Sequence, residues 1–192
     1  MLWIPAFKIG LWNAWILMLY YPMHPLILIA VDKAIGTGQI FQKMGNEGDG
    51  GVQKNANRIY YAILVGLLVY SIFLPLRTGT TWLYIGLAIY LIGLVMFLAS
   101  VARVAITPQG QLFTQGIYRY SRHPLYLSML LTFAGVGMAC ASWVYLILTM
   151  VLIFLQAYQV EEEEQGCLRT FGDEYQEYMR RTHKWIGIPK QG

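Results

Sequence analysis

Charge is scarce in this sequence. Asp, Glu, Lys and Arg make up 12% of its 192 residues, against about 25% in an ordinary soluble domain. That deficit argues against water as the surrounding medium and for a bilayer. Cysteine is scarcer still. Cys140 and Cys167 have no metal-ligand spacing and are too few for a disulfide framework. No zinc spacing, glycine-rich phosphate loop or Ser-His-Asp order appears, so no metal is expected and the commonest hydrolytic and nucleotide-binding chemistries lose their motifs. Residues 1–8 lack the charged region and small-residue cleavage site of a secretory leader, and no cleavable signal is expected. Basic residues outnumber acidic ones by 14 to 10, with pI near 9.0. They form no dense patch, however, so nucleic acid is not the expected partner.

What the chain does have is apolar length: 57% hydrophobic and 15% aromatic residues, with a mean hydropathy of +0.47. Crossing the hydrocarbon takes roughly 20 apolar residues, and five stretches meet or approach this. They are 11–31, broken by Tyr21-Pro22-Met23-His24-Pro25, then 59–76, 81–102, 124–139 and 142–160. The last two form a tight hairpin. All five are expected to be helices, because lipid offers no partner to an unpaired backbone group. The polar, glycine-rich segment 32–58 reads as a mobile loop with a short interfacial helix near 40–44. Asp32 and Lys33 read as caps of the first span. Residues 161–192 read as a cytoplasmic segment whose helix caps the bundle. The expected fold is an all-α membrane protein of about five transmembrane helices, with that C-terminal helix over an interfacial cofactor pocket. Residues 1–102 form an N-terminal region of three spans, and 103–192 a catalytic core around the hairpin 124–160.

Orientation follows from charge. With the N-terminus outside, the inside segments hold Lys33, Lys43, Lys54, Arg58, Arg103, Arg119, Arg122, Arg169, Arg180, Arg181, Lys184 and Lys190, leaving Lys8 and Arg77 outside. This twelve-to-two split satisfies the positive-inside rule and puts the informative motifs on the cytoplasmic side. On this topology the two cysteines lie at opposite membrane faces.

Two features carry chemistry. In Gly116-Ile-Tyr-Arg-Tyr-Ser-Arg-His-Pro-Leu-Tyr126, proline suits the first position of a helix, and the residue before it is driven out of the α region. His123 is therefore a candidate cap and Pro124 the start of the fourth span. Free N–H groups beside arginine suit an anion such as a carboxylate; a basic turn resting on anionic lipid is the plainer reading. The second feature is Glu161-Glu162-Glu163-Glu164 at the exit of the fifth span. Successive helical residues lie about 100° apart, so only one or two can face inward and the rest are solvated. A zwitterionic cofactor needs donors and acceptors together, and the two features provide both. His24, between two prolines, reads as part of a kink, and His183 as a solvated tail residue.

These runs, with Phe171-Gly-Asp-Glu-Tyr175, Tyr178 and the closing Trp185 to Pro189, resemble the isoprenylcysteine carboxyl methyltransferases over residues 100–189. The resemblance implies S-adenosylmethionine at the cytoplasmic interface, with S-adenosylhomocysteine as product. Carried over by position, the cofactor would meet Arg103, the loop Gly110, Gln111, Leu112 and Phe113, then Tyr118, His123, Pro124, Leu125, Tyr126 and Glu163. His123 and Tyr126 would position it, and no residue is assigned to the chemical step. Where the family carries an arginine thought to hold the substrate carboxylate, this chain has Gln159, which weakens the substrate assignment. The implied reaction is methyl-ester formation on a prenylated cysteine carboxylate or similar thioether entering from the bilayer. Three alternatives stay open: methylation of an amine lipid, reduction with a nicotinamide cofactor, and a non-enzymatic membrane module.

Overall fold

The structure is a computed structural model that describes residues 9–36 and 51–189, with backbone only for 51–56. Its elements are helical. They are α1 (Trp15–Met18), α2 (His24–Ile35), α3 (Gly51–Ile72), α4 (Thr81–Ile106), a 3₁₀ turn (Gly116–Arg119), α5 (Pro124–Ala139), α6 (Trp143–Phe171) and α7 (Asp173–Arg181). No strand occurs among the described residues; an isolated bridge between Asn13 and Pro75 ties the start of the chain to the end of α3. Two helices, α4 and α6, are long and apolar enough to cross a membrane, and 57–72 and α5 are shorter apolar helices. Their outer faces carry Val65, Val69, Leu91, Ile92, Val95, Met150 and Phe154, all exposed. A belt of that kind is a liability in water and the ordinary surface of a membrane protein.

The bundle's order is set by packing. α4 lies against α5, α5 against α6, α6 against α3, and α2 against α4. The α4–α5 contact is the closest, because glycines remove the side chains that would hold the backbones apart. A Cβ on Gly86 would lie 2.3 Å from the Ala139 nitrogen, one on Gly135 2.6 Å from the Tyr90 nitrogen, and one on Gly93 2.8 Å from the Ser128 carbonyl. Small residues serve membrane helix pairs in this way. The partners (86 with 139, 93 with 128) make the pair antiparallel.

The first apolar stretch is two helices rather than one. Pro22 lies in the break, and α2 starts at His24 with Pro25 in its first turn. The break exposes the Leu17 carbonyl, and the buried Tyr90 hydroxyl donates to it at 2.7 Å, as a dry environment demands. His24 stacks on Tyr21 and meets Phe97 with ring centroids 4.5 Å apart, in keeping with a structural kink. Asp32 and Lys33 occupy the last turn of α2, which Gly36 closes in the left-handed conformation. The polar segment is narrower than its composition suggests, since α2 runs to Ile35 and α3 begins at Gly51; the interfacial helix expected near 40–44 lies outside the described residues. α6 is about 43 Å long at 1.5 Å per residue, longer than the hydrocarbon. Its apolar part ends at Val160, so Glu161 to Glu164 stand beyond it.

Candidate functional site

One end of the bundle gathers the charge: the start of α5, the end of α6, the loop after α4, and the tail after α7. Arg103, in the last turn of α4, donates from Nη2 to Gln115 at 2.7 Å. The chain then turns at Gly110 (φ 79°) and Gly116 (φ 63°), where a side chain would strain the backbone. Phe113 and Tyr118 meet with ring centroids 5.7 Å apart and, with Leu125, join a cluster around Leu28, Phe97, Val101 and Val104. Ser121 accepts the His123 backbone N–H at 3.1 Å. His123 is the N-cap residue of α5 and Pro124 begins the helix. The imidazole does not bond that helix's own N–H groups; it reaches across to α6.

There it meets Glu164. The Glu164 Oε1 accepts from His123 Nε2 at 3.0 Å and from Arg122 Nε and Nη2, each at 2.8 Å, while Lys184 Nζ stands 3.2 Å from Oε2. The side chains of His123 and Glu164 are 2% and 4% exposed. Arg122 also donates from Nη1 to the Thr182 carbonyl at 2.8 Å and the Met179 carbonyl at 3.2 Å. Its backbone N–H donates to His183. Lys184 reaches Glu161 at 2.8 Å, the Gly187 N–H donates to the Tyr120 carbonyl, and the Tyr178 hydroxyl donates to the Tyr118 carbonyl at 2.7 Å. α7 and the tail are thus clamped onto the His-Pro turn. Burial works to raise the Glu164 carboxyl, but hydrogen bonds from His123 and Arg122, the charge of Arg122 and the Lys184 bond prevail, holding it at about 2. Burial alone would lower His123; Glu163 and Glu164 outweigh it and leave its pKa raised.

Two buried nitrogens in this region make no hydrogen bond, His123 Nδ1 and Arg103 Nε. Buried polar groups are normally paired, so each has capacity for a ligand. The His123 Nδ1 faces Glu163 Oε2 at 3.6 Å, and the Glu163 side chain is about half exposed. Of the residues the sequence singles out, Arg103, Phe113, Tyr118, His123, Pro124, Leu125, Tyr126 and Glu163 thus sit around one end of the bundle, with Tyr126 edge-on to His123 at 5.9 Å. Gly110 and Gln111 are exposed and Leu112 is half-buried on the approach loop. Gln159 stands apart from the ion cluster, donating to Asn57 of α3 at 2.8 Å.

Sequence reasoning left out Arg122, Glu164 and Lys184. The signal for Glu164 was present: the buried positions Leu152, Gln156, Val160 and Glu164 repeat at four-residue spacing, so the phase of the apolar span points that one glutamate inward. Its partners are far away in the chain and carry no local pattern. An open apolar groove of about 610 Å³, lined by Trp15, Met18, Leu68 and Ile72 among others, lies toward the opposite end of the bundle and is no part of this cluster.

A helical bundle with a lipid-facing belt and a polar, ligand-ready end is an architecture suited to chemistry at a membrane surface. Residues 103–174, which contain this end, match the family model for phospholipid methyltransferases. The chain is 31% identical over 117 residues to probable protein-S-isoprenylcysteine O-methyltransferases of indica and japonica rice, covering 55% of this chain and 60% of each relative. It is 33% identical over 79 residues to the protein-S-isoprenylcysteine O-methyltransferase of Schizosaccharomyces pombe, 41% of this chain and 33% of that one. Through this region the chain is similar to proteins named protein-S-isoprenylcysteine O-methyltransferases. It spans 60% of the length of the rice relatives.

Proposed function

We propose that this chain is a multi-pass membrane methyltransferase using S-adenosylmethionine. Its acceptor is the carboxylate of a prenylated cysteine or a similar lipophilic thioether, and its product a methyl ester. The observation that carries the reading is the pair of unbonded buried nitrogens at the polar end of the bundle, His123 Nδ1 and Arg103 Nε, the first of which faces Glu163. The residues fit the cofactor's needs: donors for a carboxylate, acceptors for an ammonium and ribose hydroxyls, and the aromatic faces of Phe113, Tyr118 and Tyr126. When bound, S-adenosylmethionine supplies an electrophilic methyl group on a sulfonium.

The chain's own contribution is placement and exclusion of water. A carboxylate acceptor is already a nucleophile, so no side chain need remove a proton. Positioning of two reactants can supply roughly 7–11 kcal/mol. Residues 103–192 form the core, the tail from α7 onward closes over it, and 1–102 complete a five-span bundle whose site faces the cytoplasm. The water-soluble donor then arrives from the cytosol and the lipid tail from the bilayer. Kinship with proteins named isoprenylcysteine O-methyltransferases supports the choice of acceptor.

One observation favours methylation of an amine lipid as second reading. Gln159 is bonded to Asn57, and a neutral amide makes a poorer carboxylate holder than the bidentate guanidinium of an arginine. Incubation of the purified protein with methyl-labelled cofactor and farnesylated cysteine decides between them. Label released as methanol by alkali indicates an ester. Alkali-resistant label in an amine-lipid fraction moves the assignment to N-methylation, and absence of transfer to either acceptor removes both readings. His123→Ala and Glu163→Ala are each expected to weaken cofactor binding by about 1–3 kcal/mol, as for loss of a charged hydrogen bond. His24→Ala is expected to change it little, and calorimetry measures all three.

A further inference from the structure

The tail after α7 is an irregular strap, and its bonds fix the level at which it lies. Lys184 reaches Glu161 at 2.8 Å, and Glu161 is the first residue past Val160, where the apolar part of α6 ends. The Gly187 N–H donates to the Tyr120 carbonyl at 2.9 Å, four residues before Pro124 opens α5. Between these two points the Ser121 hydroxyl donates to the Lys184 carbonyl at 3.4 Å. The strap therefore crosses the ends of two apolar helices, at the depth where one leaves the hydrocarbon and the other enters it. That depth is the headgroup layer, in which Trp, Tyr and Arg are favoured side chains. The strap's outer surface is apolar. Ile186 and Ile188 are 69% and 84% exposed, and Tyr120, bonded between them, is 52% exposed. Gly187 is turned inward instead, since a Cβ there would run into the His183 ring. Arg119, next to Tyr120, is exposed and has no ion partner among the described residues. The nearby cations Arg122, Arg180, Arg181 and Lys184 are each tied to a glutamate. Single exposed apolar residues are ordinary, but a grouped patch rimmed by polar residues marks a contact surface.

We propose that Tyr120, Ile186 and Ile188 form an interfacial anchor, seated at the boundary of headgroups and acyl chains in the leaflet at the charged pole, with Arg119 donating to a lipid phosphate. Place and charge both choose lipid over a second protein. The patch lies at the upper edge of the lipid-facing belt, so the surface that covers the belt continues over it. A guanidinium without a partner fits the oxygens of a phosphate as a planar fork. On this reading the tail does not trail into water after α7. The part from Trp185 to Ile188 returns to the membrane, and α7 is held between two points at the bilayer surface, the end of α6 and the strap. The inference stands apart from the methyltransferase reading and needs only that the bundle crosses a bilayer.

Nitroxide depth measurements on the full chain test this, in nanodiscs of phosphatidylcholine with a minority of phosphatidylglycerol. In a Cys167→Ser background, Ile186→Cys and Ile188→Cys each carry the label; Cys140 is buried and adds no background. Leu91→Cys on the belt is the lipid reference, and Gln176→Cys on the exposed side of α7 is the water reference. Oxygen concentrates in lipid and a nickel chelate in water, so their collision ratio reads depth. The labels at 186 and 188 are expected to favour oxygen by at least about threefold over Gln176, as for side chains immersed about 5–10 Å into the headgroup boundary. Arg119→Glu, on an exposed side chain that does not threaten folding, should move both labels toward the water reference, and Arg119→Lys should hold them in place. Water-like ratios at 186 and 188 overturn the anchor. Shielding from oxygen and chelate alike, growing with the number of chains per disc, means that a second copy covers the patch and overturns it too. Oxygen-favoured labels that ignore Arg119→Glu overturn the phosphate contact. Binding of S-adenosylhomocysteine, measured on the same discs, reports on the methyltransferase reading separately.

Discussion

Glu164 sits where a membrane helix leaves the hydrocarbon, and its three partners, Arg122, His123 and Lys184, come from the turn that opens α5 and from the tail. Breaking such a buried pair from one side leaves the other charges uncompensated, which costs more than the pair itself contributes. Glu164→Gln is therefore expected to destabilise the protein by about 3 kcal/mol, read as a lower unfolding temperature in detergent. The pH dependence has two limbs. Glu164 is held at about 2, below the ordinary 4.5, so its share of stability is present above pH 4.5 and fades as pH falls toward 2. His123 is raised above the ordinary 6.5, so its share is full below 6.5 and fades as pH rises through the raised value. The difference between wild type and variant should therefore be greatest between 4.5 and 6.5 and shrink on both sides. A difference that does not vary with pH would mean that the cluster acts through shape alone. Much of this residue scale was legible. The His-Pro turn and the acidic run both announce themselves, and helical phase separates Glu164 from its neighbours. The identity of the clamp was not, because Arg122 to Glu164 is a contact 42 residues apart in sequence, and such a contact leaves no periodic trace.

At the level of elements, the α4–α5 pair is the frame that holds the start of α5 in place. Its glycines lie against backbone, which cannot yield as a flexible side chain can. Gly135→Ala, whose new Cβ would stand 2.6 Å from the Tyr90 nitrogen, should force the helices apart and cost about 1–3 kcal/mol. Gly66 is the contrast, since nothing lies within 4 Å of a Cβ there. Gly66→Ala should be neutral or stabilising by up to about 1 kcal/mol, because alanine is the better helix former. Thermal unfolding of the two variants side by side checks this, and equal effects would show that helix propensity, rather than close approach, governs. Hydropathy made the long helices α4 and α6 plain, and proline marked the starts of α2 and α5. What hydropathy cannot carry is which helices touch. α3 pairs with α6 through Asn57–Gln159 and through Tyr60 with Gln156, rather than with α4, its neighbour in sequence. The break between α1 and α2 likewise depends on Tyr90, far away in the chain, to satisfy the carbonyl it frees.

For the molecule as a whole, the strongest legible signal is the distribution of charge, and the structure gives it a physical basis. The ends of α4 and α6 that carry Arg103 and Glu161 to Glu164 are the ends next to the loop, the His-Pro turn and the tail, and the start of α3, beside Arg58, is bonded to α6 one turn earlier through Asn57 and Gln159. The opposite end, where α3 gives way to α4 and α5 to α6, holds the turn 73–80 with Arg77, whose N–H donates to the Ala139 carbonyl at 3.0 Å. The bundle therefore has a charged pole and an apolar pole, and on the positive-inside rule we propose that the charged one faces the cytoplasm. In a background with Cys167 replaced by serine, Gly45→Cys and Lys190→Cys should react with a membrane-impermeant thiol reagent only from the cytoplasmic side, and Thr78→Cys only from outside. Thr78 is exposed in the turn between α3 and α4, so poor access does not explain a missing signal there. Cys140 is buried and contributes no background. Labelling of residues 78 and 190 from the same side would overturn the five-span count. Labelling of all three on the faces opposite to those expected would keep the count and invert the protein, placing the ligand-ready end outside the cell, away from any cytosolic supply of methyl donor.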